Sequence, residues 1–123
     1  MTSGGSERIR FDWRLLDRED PFEIDNGNRP HLHKHLPDDT HGNPVPVGPE
    51  DVLDVYLYGD PCFFYADDEG QADWLMVGMV PGLIICVPLA PPKHGDVRVC
   101  RPIGIYRVSE ENKVRYLRGE TDD

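Results

Sequence analysis

The chain has 123 residues, 38% of them apolar and 29% charged, with 12 prolines and 12 glycines. That length supports one domain around one core, the apolar share excludes a disordered chain, and the prolines and glycines imply many turns. The formal charge of −10, from 13 basic against 23 acidic residues, argues against the uniformly basic surface of a general nucleic-acid binder.

Residues 1–8 read as a disordered lead, 9–118 as a single domain and 119–123 as a disordered tail. Ile9, Phe11 and Trp13 alternate with Arg10, Asp12 and Arg14, the pattern of a short strand with one buried face. Asp17 to Gly27 is charged and contains Pro21; it reads as a loop with Phe22 and Ile24 as anchors. Pro30 to Leu36 fits a short helix with proline in its first turn. Pro37 to Gly48 is rich in proline, glycine and aspartate and reads as a loop. Pro49 to Tyr58 carries the strongest helix signal: Pro49 at the first position, Glu50 and Asp51 at the positive end of the dipole, and Gly59 as the cap. Strands follow at Phe63–Ala66, Trp74–Val80 and Leu83–Leu89, the last two joined as a hairpin at Pro81-Gly82. A fourth β segment spans Val97–Val108, with Pro102 marking an edge or bulge. Ser109 can cap a final helix that starts with Glu110 and Glu111 and ends with Lys113, Arg115 and Arg118. Runs of one element type predict an α+β fold. Its antiparallel sheet would have four to five strands, packed against two helices from the N-terminal half, with a C-terminal helix added.

Charge is unevenly spread. Between residues 37 and 73 there are ten acidic residues and no Lys or Arg, whereas 74–108 holds four basic residues and one acidic. An acidic half beside a basic half allows a homodimer or a local anion-binding face. The longest apolar run, Trp74 to Ala90, is broken at Pro81-Gly82, so no membrane span is expected. The opening Met-Thr-Ser-Gly-Gly-Ser lacks the basic and apolar regions of a secretory leader. Cys62, Cys86 and Cys100 all lie in apolar stretches and read as reduced core thiols, so the expected address is cytoplasmic.

Two stretches carry a resemblance. Asn28-Arg-Pro-His31-Leu32-His-Lys34-His35 resembles the N-x-x-H-I-x-K-H segment of BrnT-type proteins, a group of RelE-like ribonuclease toxins. Phe11-Asp12-Trp13 is similar to that family's opening F-x-W, and Pro49-Glu50-Asp51-Val52 to the acidic start of its second helix. Arg101-Pro-Ile-Gly-Ile-Tyr106-Arg107-Val-Ser109, leading into Tyr116, resembles its final strand and helix, R-x-I-S-A-R-x-A-T. The resemblance implies a RelE-like fold and the toxin of a type II toxin–antitoxin pair. Its partners would be an RNA substrate and a cognate antitoxin, and it would use no cofactor. In such chemistry a ribose 2′-oxygen attacks the adjacent phosphate, and preorganised cations stabilise the charge that develops. The resemblance then implies Lys34, His35, Arg101 and Arg107 as catalytic residues and His31, Tyr106 and Tyr116 as substrate contacts. In this sequence Tyr106 stands where the pattern has its second arginine, and Arg107 is its neighbour. Arg107 would serve in that place only if a bulge near Pro102 or Gly104 shifts the register. A segment from Leu36 to Gly48 is inserted relative to the family.

Other readings of the same residues stand beside this one. A non-catalytic descendant would keep the fold as a binding module and make contact through its acidic face. His31, His33, His35 and His41 with Asp38 and Asp39 form the densest ligand-capable cluster and suit Zn²⁺ or Ni²⁺, although no second ligand group follows at a customary spacing. Trp13 and Trp74 suit base stacking or core packing.

Overall fold

The computed structural model describes residues 9–37, 43–67 and 69–123. The expected disordered lead, and Asp38, Asp39 and His41 of the ligand-capable cluster, lie outside these residues.

The elements begin with two 3-10 turns, Trp13–Leu15 and Arg29–Leu32. They continue with strands β1 (Lys34–Pro37) and β2 (Pro44–Val47), helix α1 (Pro49–Tyr58), and strands β3 (Cys62–Tyr65), β4 (Trp74–Val80) and β5 (Leu83–Ala90). Two short strands, β6 (Arg101–Pro102) and β7 (Tyr106–Arg107), and helix α2 (Glu110–Leu117) complete the chain. The main sheet is antiparallel in the order β3-β4-β5-β6, with β7 also on β5, while β1 and β2 form a separate antiparallel pair.

Helix α1 forms where its end signals predict. The Asp51 carboxylate accepts the Gly48 N–H at 2.7 Å, and the Gly59 N–H closes the last turn on Val55 O at 2.9 Å. Val52 and Val55, both fully buried, press onto the sheet. Gly78 allows this approach, because a Cβ there would lie 2.6 Å from Val55 Cγ1. The β4–β5 hairpin pairs Trp74 with Leu89 through to Val80 with Leu83, and Gly82 takes φ +81° in the turn. Glycine adopts that region at no steric cost.

Both faces of the sheet are covered, which is why β4 and β5 read as nearly unbroken apolar runs. On one face, Phe63, Trp74, Met76, Ile85, Val87 and Leu89 join Leu16, Leu32, Val52 and Val55 in the main core. On the other, Cys62, Phe64, Val77 and Cys86 pack against Val108 and Tyr116. All three cysteines are reduced and buried, and burial pushes the Cys86 thiol up to about 12.

Several local expectations are corrected. Residues 9–12 form no strand and lead into the Trp13–Leu15 turn, whose start is fixed by Asp12 accepting the Arg14 N–H at 3.0 Å. The alternation there reports burial of Phe11 and Trp13 against the sheet, not a paired backbone. Trp13 stacks on Phe63 with ring centres 4.4 Å apart, and Trp74 is buried with its indole N–H on Phe11 O. Neither ring is presented as a base-stacking platform. The expected Pro30–Leu36 helix is one 3-10 turn and then a strand, so the N-terminal half supplies one α-helix rather than two. The partner of that strand is β2, inside the segment expected as loop. Pro44 and Pro46 are two residues apart, so their missing N–H positions face one side, as an edge strand tolerates.

The last β segment, expected as one stretch from Val97 to Val108, pairs with β5 only at Arg101–Pro102 and Tyr106–Arg107. Arg101 lies opposite Ala90 and Tyr106 opposite Cys86, so a five-residue step faces a four-residue step. That is a one-residue bulge at 103–105. The segment 119–123, expected as a disordered tail, lies along β3: Asp122 N–H donates to Phe63 O at 2.7 Å.

Candidate functional site

The site grows from the turn that precedes the Arg29–Leu32 element. Asn28 is 2% exposed. Its side-chain amide donates to Glu23 O at 2.8 Å and Pro102 O at 3.0 Å, and its carbonyl accepts the Asp25 N–H at 2.8 Å. This one side chain ties residues 23–28 to β6. The backbone reinforces the tie, since Glu23 N–H donates to Cys100 O and Cys100 N–H to Pro21 O, each at 2.8 Å.

Arg101 projects from β6 into the turn so held, and only 11% of its side chain is exposed. One guanidinium nitrogen donates to Glu23 Oε1 at 2.7 Å and Asp25 Oδ2 at 2.9 Å, the other to Asp25 Oδ1 at 3.1 Å. The grip on Asp25 is bidentate, the geometry with which arginine holds a carboxylate or a phosphate. Lys93 adds a second cation, with Nζ 3.1 Å from Asp25 Oδ2. The Arg101 guanidinium, helped by the Gly27 N–H and Lys93, holds the Asp25 carboxyl far below the usual carboxylate range. It also lowers Glu23. Two acids therefore balance two bases around the residue expected to hold phosphate.

Beside this cluster opens a pocket of about 440 Å³ lined by Gly27, Asn28, His31, Gln71, Arg101 and Ile103, among others. His31 and Arg101 thus share one cavity. Lys34 takes a different place, its Nζ 3.7 Å from the centre of the Tyr106 ring, a close cation–π contact. The ring itself folds back over Gly104, where a Cβ would meet it at 2.6 Å.

The bulge decides the neighbouring positions. It pairs Tyr106 with Cys86 and Arg107 with Ile85. Arg107 borders a separate cavity of about 320 Å³ with Lys113 and Glu110. Tyr116 donates its hydroxyl to Gly59 O at 2.6 Å and belongs to the packing between α2 and the sheet. His33 and His35 are exposed, while Leu32 and Leu36 point inward. Among the described residues no group of three or more His, Cys, Asp or Glu could hold a metal ion.

The two segments singled out by sequence therefore meet, His31 with Arg101 and Lys34 with Tyr106, whereas His35, Arg107 and Tyr116 stand elsewhere. Glu23, Asp25 and Lys93 were not legible as site residues. Glu23 and Asp25 lie 78 and 76 positions from Arg101 in sequence, and nothing in a charged loop marks which carboxylate will find a distant arginine. Among the described residues, no helix is long and apolar enough to cross a membrane. No family model, curated protein or solved structure matches this chain.

Proposed function

We propose that the chain is a RelE-like domain of the BrnT type that serves as a binding module and has given up ribonuclease chemistry. One observation carries this: the Arg101 guanidinium is already filled by Glu23 and Asp25. Stabilising a pentavalent phosphate requires preorganised positive charge aimed at open space. Here that charge is taken up by two carboxylates, Lys34 lies on an aromatic ring, and Arg107 borders a different cavity. The outer row of α1 is the unspent surface. Glu50, Asp54 and Tyr58 follow one another at four-residue spacing, all exposed, with Tyr58 79% accessible. An acidic row ending in a large aromatic side chain suits a basic partner surface.

Growth and cleavage test the proposal together. Strong inducible expression of the soluble protein should leave growth unchanged, and the purified protein should leave a labelled single-stranded RNA intact. Growth arrest relieved by Lys34→Ala would overturn the reading. It would establish instead the endoribonuclease toxin, neutralised by a cognate antitoxin, for which the shared cavity of His31 and Arg101 speaks.

A further inference from the structure

Strand β3 is an outer strand of the main sheet. Its sequence, Cys-Phe-Phe-Tyr, is aromatic and uncharged, which makes an uncovered edge prone to pairing with other chains. Residues 120–123 cover it. The Thr121 hydroxyl accepts the Phe63 N–H and donates to Phe63 O, both at 3.0 Å. Asp122 donates its N–H to Phe63 O at 2.7 Å, and its carboxylate accepts the Tyr65 N–H at 2.9 Å. The tail satisfies the outward backbone groups mostly through side chains, without forming a regular strand.

Cations and aromatic rings frame this edge. Arg115 bonds Asp122 Oδ1 at 2.7 Å and Glu120 Oε1 at 3.0 Å, and its guanidinium lies 4.2 Å from the centre of the Phe64 ring. The Trp13 indole N–H donates to Asp122 O at 3.2 Å. Arg14 reaches Asp123 at 3.0 Å, and the Tyr65 hydroxyl donates to Asp123 O. Each position of the tail is read by a different group: carboxylates by arginines, a hydroxyl by one residue's N–H and C=O, and main-chain carbonyls by an indole and a phenol.

We propose that the β3 edge, with Arg115, Arg14 and Trp13, is a docking groove for an extended acidic peptide of a partner protein, and that Glu120–Asp123 occupies it in cis. Charge complementarity selects the occupant. With the tail displaced, Arg115 loses both carboxylates that now pair with it, Arg14 keeps Asp12 but loses Asp123, and the groove presents positive charge beside open backbone donors. A partner segment with an acid, then threonine or serine, then two acids would reproduce these contacts along the strand edge. Gly119, at φ +72°, turns the chain from α2 back to the sheet and is the point about which the tail would swing. The cis segment competes at a high effective concentration, on the order of millimolar for so short a tether, so the groove is gated. This inference rests on the tail contacts alone and is independent of the state of the Arg101 pocket.

The test uses the protein of residues 1–123 and a fluorescein-labelled peptide of sequence Arg-Gly-Glu-Thr-Asp-Asp, read by anisotropy. The Thr121→Ala/Asp122→Ala variant, folded by circular dichroism, should bind the peptide at least about tenfold more tightly than wild type. Adding Arg115→Ala should return binding to the wild-type level, and a peptide with Asn for both Asp should not bind. Equal binding by wild type and a folded double variant would overturn the proposal, as would binding indifferent to Arg115. A concentration-dependent dimer of the double variant in light scattering would assign the edge to a second copy and overturn the acidic-peptide assignment.

Discussion

At the scale of single residues, the letters that carry the resemblance divide by what they touch. Asn28 holds a turn to β6 through three hydrogen bonds, and Leu32, fully buried, is core. Arg101 is the anchor of the 23–28 turn. Removing it leaves Glu23 and Asp25 facing one another without their main counter-charge, although both keep some access to water. Arg101→Ala should therefore destabilise the protein by about 1–3 kcal/mol, the range for charge-assisted hydrogen bonds. A urea midpoint unchanged from wild type would show that the ion pairs contribute nothing to holding the turn. A buried structural arginine and a phosphate-holding arginine look the same in one sequence. What separates them is the neighbour, and the neighbours come from a loop more than seventy positions away.

At the scale of elements, close approach governs. Helix α1 crosses β4 at Gly78, where an added Cβ would meet Val55 Cγ1 at 2.6 Å and Gly59 O at 3.2 Å. Gly78→Ala should cost about 1–3 kcal/mol through overpacking, measured by denaturant unfolding; a stabilised variant would mean the helix can move off the sheet freely. Helix α2 is fastened to the far end of α1 by the Tyr116 hydroxyl on Gly59 O. Tyr116→Phe should lose about 1 kcal/mol, the net worth of one such bond. A larger loss, or any change in RNA handling without one, would point to a role beyond packing. Elements with complete local signals, α1, α2 and the β4–β5 hairpin, were readable from sequence because caps, dipole-compatible charges and a Pro-Gly turn act within a few residues. The short strand expected at residues 9–13 failed for the opposite reason. Alternation records which side chains are buried, and burial against a neighbouring sheet gives the same pattern as pairing within one.

At the scale of the whole molecule, acidic groups are held in ion pairs at both ends of the chain. Arg101 lowers Glu23 and Asp25. For Asp122, burial works to raise the carboxyl, but Arg115 and the Tyr65 N–H outweigh it and the net shift is downward. A carboxyl whose folded value is depressed contributes stability above its unfolded value and loses it as pH falls toward the folded one. Stability should thus be level near neutrality and decline as pH drops through the ordinary range, near 4.5 for Glu and 3.8 for Asp. In a series of melts from pH 7 to pH 3, Glu23→Gln should show a shallower decline than wild type. An identical slope would mean Glu23 has the same affinity for protons folded and unfolded.

By itself the sequence determined the α+β class, the antiparallel hairpin and both α-helices. These follow from periodicity and end signals, which are written locally. The tertiary structure alone decided that the bulge offered near Pro102 or Gly104 forms at 103–105, which carboxylates fill Arg101, and how residues 119–123 lie along β3. Each depends on which distant groups come within hydrogen-bonding distance, and pairing energies between remote positions leave no period, cap or spacing in a single chain.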